Sequence, residues 1–107
     1  MTIYNQLKSE LIIDKTYSLS EIQLILNYKF NTNIRSIIPS DYCYNRLNKG
    51  IKFDKHLFIY LERNLYKYVG ENYKYSGKVY HKPHKSNNEI EVGEWTNGNY
   101  CIFREKD

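Results

Sequence analysis

Between Asn31 and Lys49 the chain gathers the side chains best suited to reading a base edge: Arg35, Ser40, Asn45, Arg46, Asn48 and Lys49, with Asn33 close by. Arginine pairs bidentately with guanine and asparagine with adenine, so this is the vocabulary of a nucleic-acid reader. The competing reading is that Asn and Ser here cap helices and close turns. Arg46 is the favoured contact, because Asn48-Lys49-Gly50 reads as an exposed turn that leaves a long planar cation free to reach outward. Further along, Arg63 and Asn64 occupy a hairpin tip with Lys67 on the returning strand, a placement that suits phosphate contact. Lys74, Lys78 and Lys82 then alternate with Tyr73, Tyr75 and Tyr80, whose rings can stack on bases or seal the edge of a thin core.

Charge is unevenly spread. From Ser40 to Lys85 there are ten Lys/Arg against four acids, a local charge of +6, whereas the whole chain carries only +4. The tail compensates through Glu89, Glu91, Glu94, Glu105 and Asp107. A basic middle points to a polyanion, and double-stranded DNA is the first candidate partner. Catalytic and metal chemistry find little support. His81 and His84 have an i, i+3 spacing, but a zinc site needs paired ligands at both ends and Pro83 interrupts the one pair. The acids of the basic region are too scattered to hold Mg²⁺, and no nucleophile, base and orienting group fall into a known pattern. No cofactor, metal or catalytic residue is therefore expected.

The elements that must carry these residues follow from periodicity. With 107 residues there is room for one domain and one core, and twelve tyrosines make its margin polar and aromatic. Three parts are expected: a helical part over 1–50, a hairpin and connector over 51–83, and an acidic hairpin over 84–107. Tyr4, Leu7 and Leu11 mark a first helix after the N-cap candidate Thr2. Thr16-Tyr17 is β-prone, and Ser18-Leu19-Ser20-Glu21 matches the capping box of a second helix. A third helix falls either at residues 32–38, stopped by Pro39, or at 40–48, stopped by Gly50. Residues 57–61 and 65–69 then form a hairpin, residues 78–81 a short strand, and residues 89–103 a second hairpin turning on Asn97-Gly98. This order predicts an α+β fold of the winged helix-turn-helix type, in which the third helix enters the major groove and the hairpin lies along phosphates. Cys43 and Cys101 are read as free thiols, no membrane span or leader is visible, and the expected setting is cytoplasmic. Without a long heptad, a monomer or weak homodimer is expected.

The run Ile38-Pro39-Ser40-Asp41-Tyr42-Cys43-Tyr44-Asn45, with Asn48 to Ile51 and Tyr68 to Gly77, resembles a small domain family of bacteria and their phages. Such domains occur alone or beside restriction-type endonuclease modules. The resemblance spans about residues 18–83, carries no catalytic role, and implies a setting in DNA recognition or defence. Two alternatives to a DNA-binding module accompany it. One is a phage-encoded inhibitor of the anti-CRISPR or anti-restriction type, binding a protein nuclease effector through phosphate-mimicking Glu89, Glu91 and Glu94. The other is the specificity part of a restriction-type nuclease.

Overall fold

A computed structural model describes residues 1–83 and 88–103 of the chain. Helix α1, Ile3–Glu10, starts where Thr2 accepts a hydrogen bond from the Asn5 N–H. Strand β1, Thr16–Ser18, leads directly into helix α2, Leu19–Phe30, across a complete capping box: Ser18 accepts from the Glu21 N–H while the Glu21 carboxylate accepts from the Ser18 N–H. Helix α2 ends at Asn31, which takes the left-handed conformation that short polar side chains tolerate.

The expected third helix is absent. Residues 32–38 hold one 3₁₀ turn, Ile34–Ser36, and residues 40–48 only the end of another, Pro39–Tyr42. The winged helix-turn-helix expectation falls with it, although the α+β class stands. The cause is non-local. Residues 43–47 form a strap, with a turn at Tyr44-Asn45 between bridges at Cys43 and Arg46, and the flanking strand edges supply the hydrogen bonds that a helix would otherwise have made. The N–H of Tyr44 donates to the Phe58 carbonyl at 2.8 Å, and that of Leu47 to the Tyr80 carbonyl at 2.9 Å.

Those edges belong to two antiparallel three-stranded sheets. In the first, β2 (Phe58–Glu62) and β1 flank β3 (Leu65–Tyr68); in the second, β4 (Gly77–His81) and β6 (Asn99–Ile102) flank β5 (Ile90–Thr96). The hairpins turn where the sequence indicates, at Arg63-Asn64 and at Asn97-Gly98, where both residues have positive φ as the tight type I′ turn requires. The second hairpin does not stand alone, because β4 pairs with β5 from Gly77↔Trp95 to His81↔Ile90. The strap joins the sheets, with Cys43 bridging to Phe58 and Arg46 to Tyr80. Asn45 completes the seam: its side chain donates to the Tyr60 carbonyl at 2.9 Å and accepts from the Tyr60 N–H at 2.8 Å, as a backbone amide would.

Two cores result. One lies between the helices and the first sheet and contains Leu7, Ile22, Leu26, Ile37, Leu57, Phe58 and Tyr66. The other is built from Tyr44, Leu47, Val69, Val79, Val92 and Trp95, with Phe53 and Ile59 packed against it. Phe58 and Ile59 are consecutive yet serve different cores, as the alternation of a strand dictates. Among the described residues no helix is long and apolar enough to cross a membrane.

Candidate functional site

The second core does not close. Its aromatic side chains wall a cavity of about 560 Å³ that opens to the surface. Tyr4 of α1, Tyr44 of the strap, Asp54 and His56 of the loop before β2, Glu71 to Lys74 after β3, Trp95 of β5, and Gly98 to Tyr100 at the β5–β6 turn line it. Local packing fixes most of these groups. Tyr44 donates its hydroxyl proton to the Gly70 carbonyl at 2.7 Å and accepts from the Tyr73 N–H at 3.1 Å. The Trp95 indole N–H donates to the Tyr44 carbonyl at 2.6 Å, and Tyr100 donates to the Phe53 carbonyl at 3.0 Å. Edge-to-face contacts complete the frame, with ring centroids 5.1 Å apart for both Tyr44–Trp95 and His56–Trp95.

His56 is the exception. It is only 8% exposed, and its Nε2 is buried without a hydrogen-bond partner. Leaving such an atom unpaired costs about 1–3 kcal/mol, and His81 Nε2, away from the cavity, is buried and unpaired in the same way. Burial lowers the imidazole pKa to about 4, the nearby Asp54 only partly opposing it, so His56 is neutral at pH 7.

Both signs of charge stand at the mouth. Tyr4 donates to Glu71 at 2.7 Å and Lys8 pairs with it at 3.2 Å, which together hold that carboxylate below its ordinary range. Asp54 has one ion pair among the described residues, a long 3.9 Å contact with exposed Lys52. Lys74 lies on the lining, and the Lys55 ammonium sits 5.7 Å from the Tyr4 ring centroid. Lys8, Lys52, Lys55 and Lys74 thus outnumber Asp54 and Glu71.

The residues singled out from the sequence do not gather into one face. Arg46 folds back against the Tyr60 ring, 4.1 Å from its centroid, and pairs with Glu89. Lys78 pairs with Glu91 at 3.0 Å and Glu94 at 3.7 Å, and Lys67 reaches Asp14 at 4.0 Å. Asn48 donates to Ser40 and Asp41, and Asn45 is spent on the seam. Arg35 lies on a 3₁₀ turn, Lys49 after the strap, and Arg63 with Asn64 at the β2–β3 tip, all exposed. Of the whole set, Lys74 and the neighbouring Tyr73 alone line the cavity. His84, Lys85, Glu105 and Asp107 lie outside the described residues; among those described, no three His, Cys, Asp or Glu side chains cluster as metal ligands. The key groups that sequence reasoning passed over are His56 and Trp95. The one available signal was composition, since Trp95 is the only tryptophan.

The chain matches, over residues 2–102, the family described as a domain of unknown function, DUF7225, and belongs to it. The match takes in the second hairpin, which the sequence resemblance had left outside. The chain is also similar to the uncharacterized protein YnaC of Bacillus subtilis (strain 168), with 51% identity over 100 residues. That alignment covers 92% of this chain and 38% of YnaC, so the chain spans well under half of this relative's length. No solved structure matches the chain.

Proposed function

We propose that this domain binds nucleic acid and that the strand it takes is unpaired, with one base unstacked into the aromatic cavity. The observation that carries this reading is the open cavity itself, walled by Tyr44, His56, Trp95 and Tyr100 with Lys74 on its lining. Tyrosine and tryptophan offer faces and edges to any base, and an unstacked base brings hydrogen-bonding atoms that a duplex hides. Tyr73 and Tyr100, nearly half exposed, supply ring surface at the entrance. Lys52, Lys55 and Lys74 suit the flanking phosphates.

Duplex DNA is the weaker ligand on this reading, since among the described residues no third α-helix is present to enter a major groove. The effector-inhibitor reading has less support still, because Glu89, Glu91 and Glu94 are engaged by Arg46 and Lys78. A place beside restriction-type endonuclease modules, which the PSDYCYN resemblance implies, is compatible with a domain that holds an unpaired strand.

Fluorescence anisotropy of a labelled 12-nucleotide strand, alone and annealed to its complement, tests the proposal. The single strand binds more tightly, and log affinity falls against log salt with a slope of about −2, the value for three lysines meeting phosphates of a single strand. Equal binding of both forms, or no binding at low salt, overturns it.

A further inference from the structure

Away from the cavity the second sheet keeps one edge open, and we infer that this edge, strand β6, is the surface through which two copies of the chain pair antiparallel about a two-fold axis at Cys101. The other long edges are covered. Along β2 the strap meets Phe58 and the Asn45 amide meets Tyr60, and along β4 the strap meets Tyr80 through Asn45 and Leu47. Strand β6 has β5 on one side and, among the described residues, no strand on the other. Its backbone parity follows from the hairpin. A two-residue turn closes on a hydrogen-bonded pair, here Thr96↔Asn99, and the Phe103 N–H donates to the Val92 carbonyl at 3.0 Å. Asn99, Cys101 and Phe103 therefore direct their N–H and C=O groups to β5. Those of Tyr100 and Ile102 point outward and have no partner among the described residues.

Unpaired edge groups are a template for another strand, and proteins blunt such edges with lysine, proline or a bulge. Strand β6 has none of these. Asn99 to Ile102 pair with β5 in unbroken register, carry no charge and are exposed, as is Phe103. The edge is also self-complementary. Setting Tyr100 opposite the partner's Ile102, and Ile102 opposite the partner's Tyr100, engages every outward N–H and C=O of both strands. Sliding the register by two residues either way leaves one outward residue of each strand without a partner in β6. The same register sets an aromatic ring beside a β-branched side chain twice over, a favourable cross-strand pair. Glu94, beside Cys101 on β5, meets Lys78 at 3.7 Å, so its charge is balanced within each copy. The axis then falls at Cys101, in a pair without hydrogen bonds, where opposed Cα atoms stand about 4.5 Å apart, within the span of a disulfide. Because Tyr100 lines the cavity, the pairing sets two cavities on one face of a six-stranded sheet.

Sedimentation velocity on the reduced full chain, without nucleic acid, tests the pairing. So short a strand makes a weak dimer, and the weight-average coefficient should rise between about 10 µM and about 1 mM. Ile102→Pro should stay monomeric throughout, because proline removes an outward N–H that the fold itself does not use. Ile102→Lys keeps that N–H but puts a cation on the edge, and should weaken self-association about tenfold or more. Trp95 emission and circular dichroism report that each variant is folded. Diamide then probes the register: two Cys101 thiols join as S–S and pass two protons and two electrons to the diamide, which becomes the hydrazine. Cys43 is buried and burial pushes its thiol up, so the covalent dimer reports Cys101. In Ile102→Lys, cross-linking at equal protein concentration should slow about tenfold.

A wild type that stays monomeric at about 1 mM overturns the inference. Self-association that both Ile102 variants retain at wild-type strength also overturns it, since the contact then lies elsewhere. Cross-linking as fast in Ile102→Lys as in the wild type does the same, because it marks random collision. The single-strand reading stands or falls separately, on its anisotropy titration.

Discussion

The two cores of this molecule both combine aliphatic with aromatic side chains, yet they end in different states. The helix-side core packs Leu7, Ile22, Leu26 and Leu57 with Phe58, Tyr66 and Tyr68, all of them buried. The other, between the sheets, is built around Tyr44, Trp95, Phe53 and His56, and it keeps an open cavity and an unpaired buried nitrogen. Rings meet edge to face in both, so the difference lies in closure: two helices cover the first core, whereas around Trp95 loops and a turn wall an open cavity. The lesson is a division of labour: one core holds the chain together and the other leaves room for a ligand.

The comparison can be broken most severely on the helix side. Truncating Phe58 to Ala empties the most buried large side chain and should cost about 3–5 kcal/mol, a large part of the stability of a domain this size. A urea unfolding curve should show a much lower midpoint or no folded baseline.

Next in size is the seam. Replacing Asn45 with Ala strips the Tyr60 N–H and C=O of their partners and should cost about 2–3 kcal/mol. Hydrogen exchange should accelerate at the Tyr60 amide first, because the sheets part there before the helices unfold.

His56→Phe sharpens the contrast from the other direction. It removes an unsatisfied polar atom while keeping an aromatic ring against Phe53 and Trp95, so stability should rise by about 1 kcal/mol while ligand binding is lost. The pH profile should change as well. In the folded chain His56 titrates at about 4, below its ordinary 6.5, so the unfolded chain binds the extra proton first. The wild type therefore loses stability as pH falls from about 6.5 to 4, by about 3 kcal/mol from this group, and the variant lacks that component. Thermal midpoints at pH 7, 5.5 and 4.5 would show the two curves diverging as pH falls.

The smallest effect belongs to the surface. Lys78→Ala removes a pair of exposed contacts with Glu91 and Glu94, and the urea midpoint should stay within error of the wild type.

What was legible in the sequence was local. Thr2, the Ser18–Glu21 box and the Asn97-Gly98 turn each act through neighbours a few residues away, and each sits where the pattern indicates. The third helix failed because residues 43–47 answer to strands 14 to 35 residues downstream, a demand that no local spacing encodes. The same limit hid the cavity: Tyr4, Tyr44, His56, Tyr73 and Trp95 come from five separate stretches of chain. Arg46 looked free for want of a visible partner, and that partner, Glu89, is 43 residues away. Counting charges located the basic middle but did not reveal that Arg46, Lys67 and Lys78 are paired with acids.

The central claim is that the aromatic core is a binding site for an unstacked base, and the fluorescence of Trp95 reads it directly. Titrating a short single strand into the wild type at low salt should quench that emission saturably, and the same strand should leave folded His56→Phe unquenched. A wild type that shows no saturable quenching, or a variant that responds as the wild type does, would contradict the account.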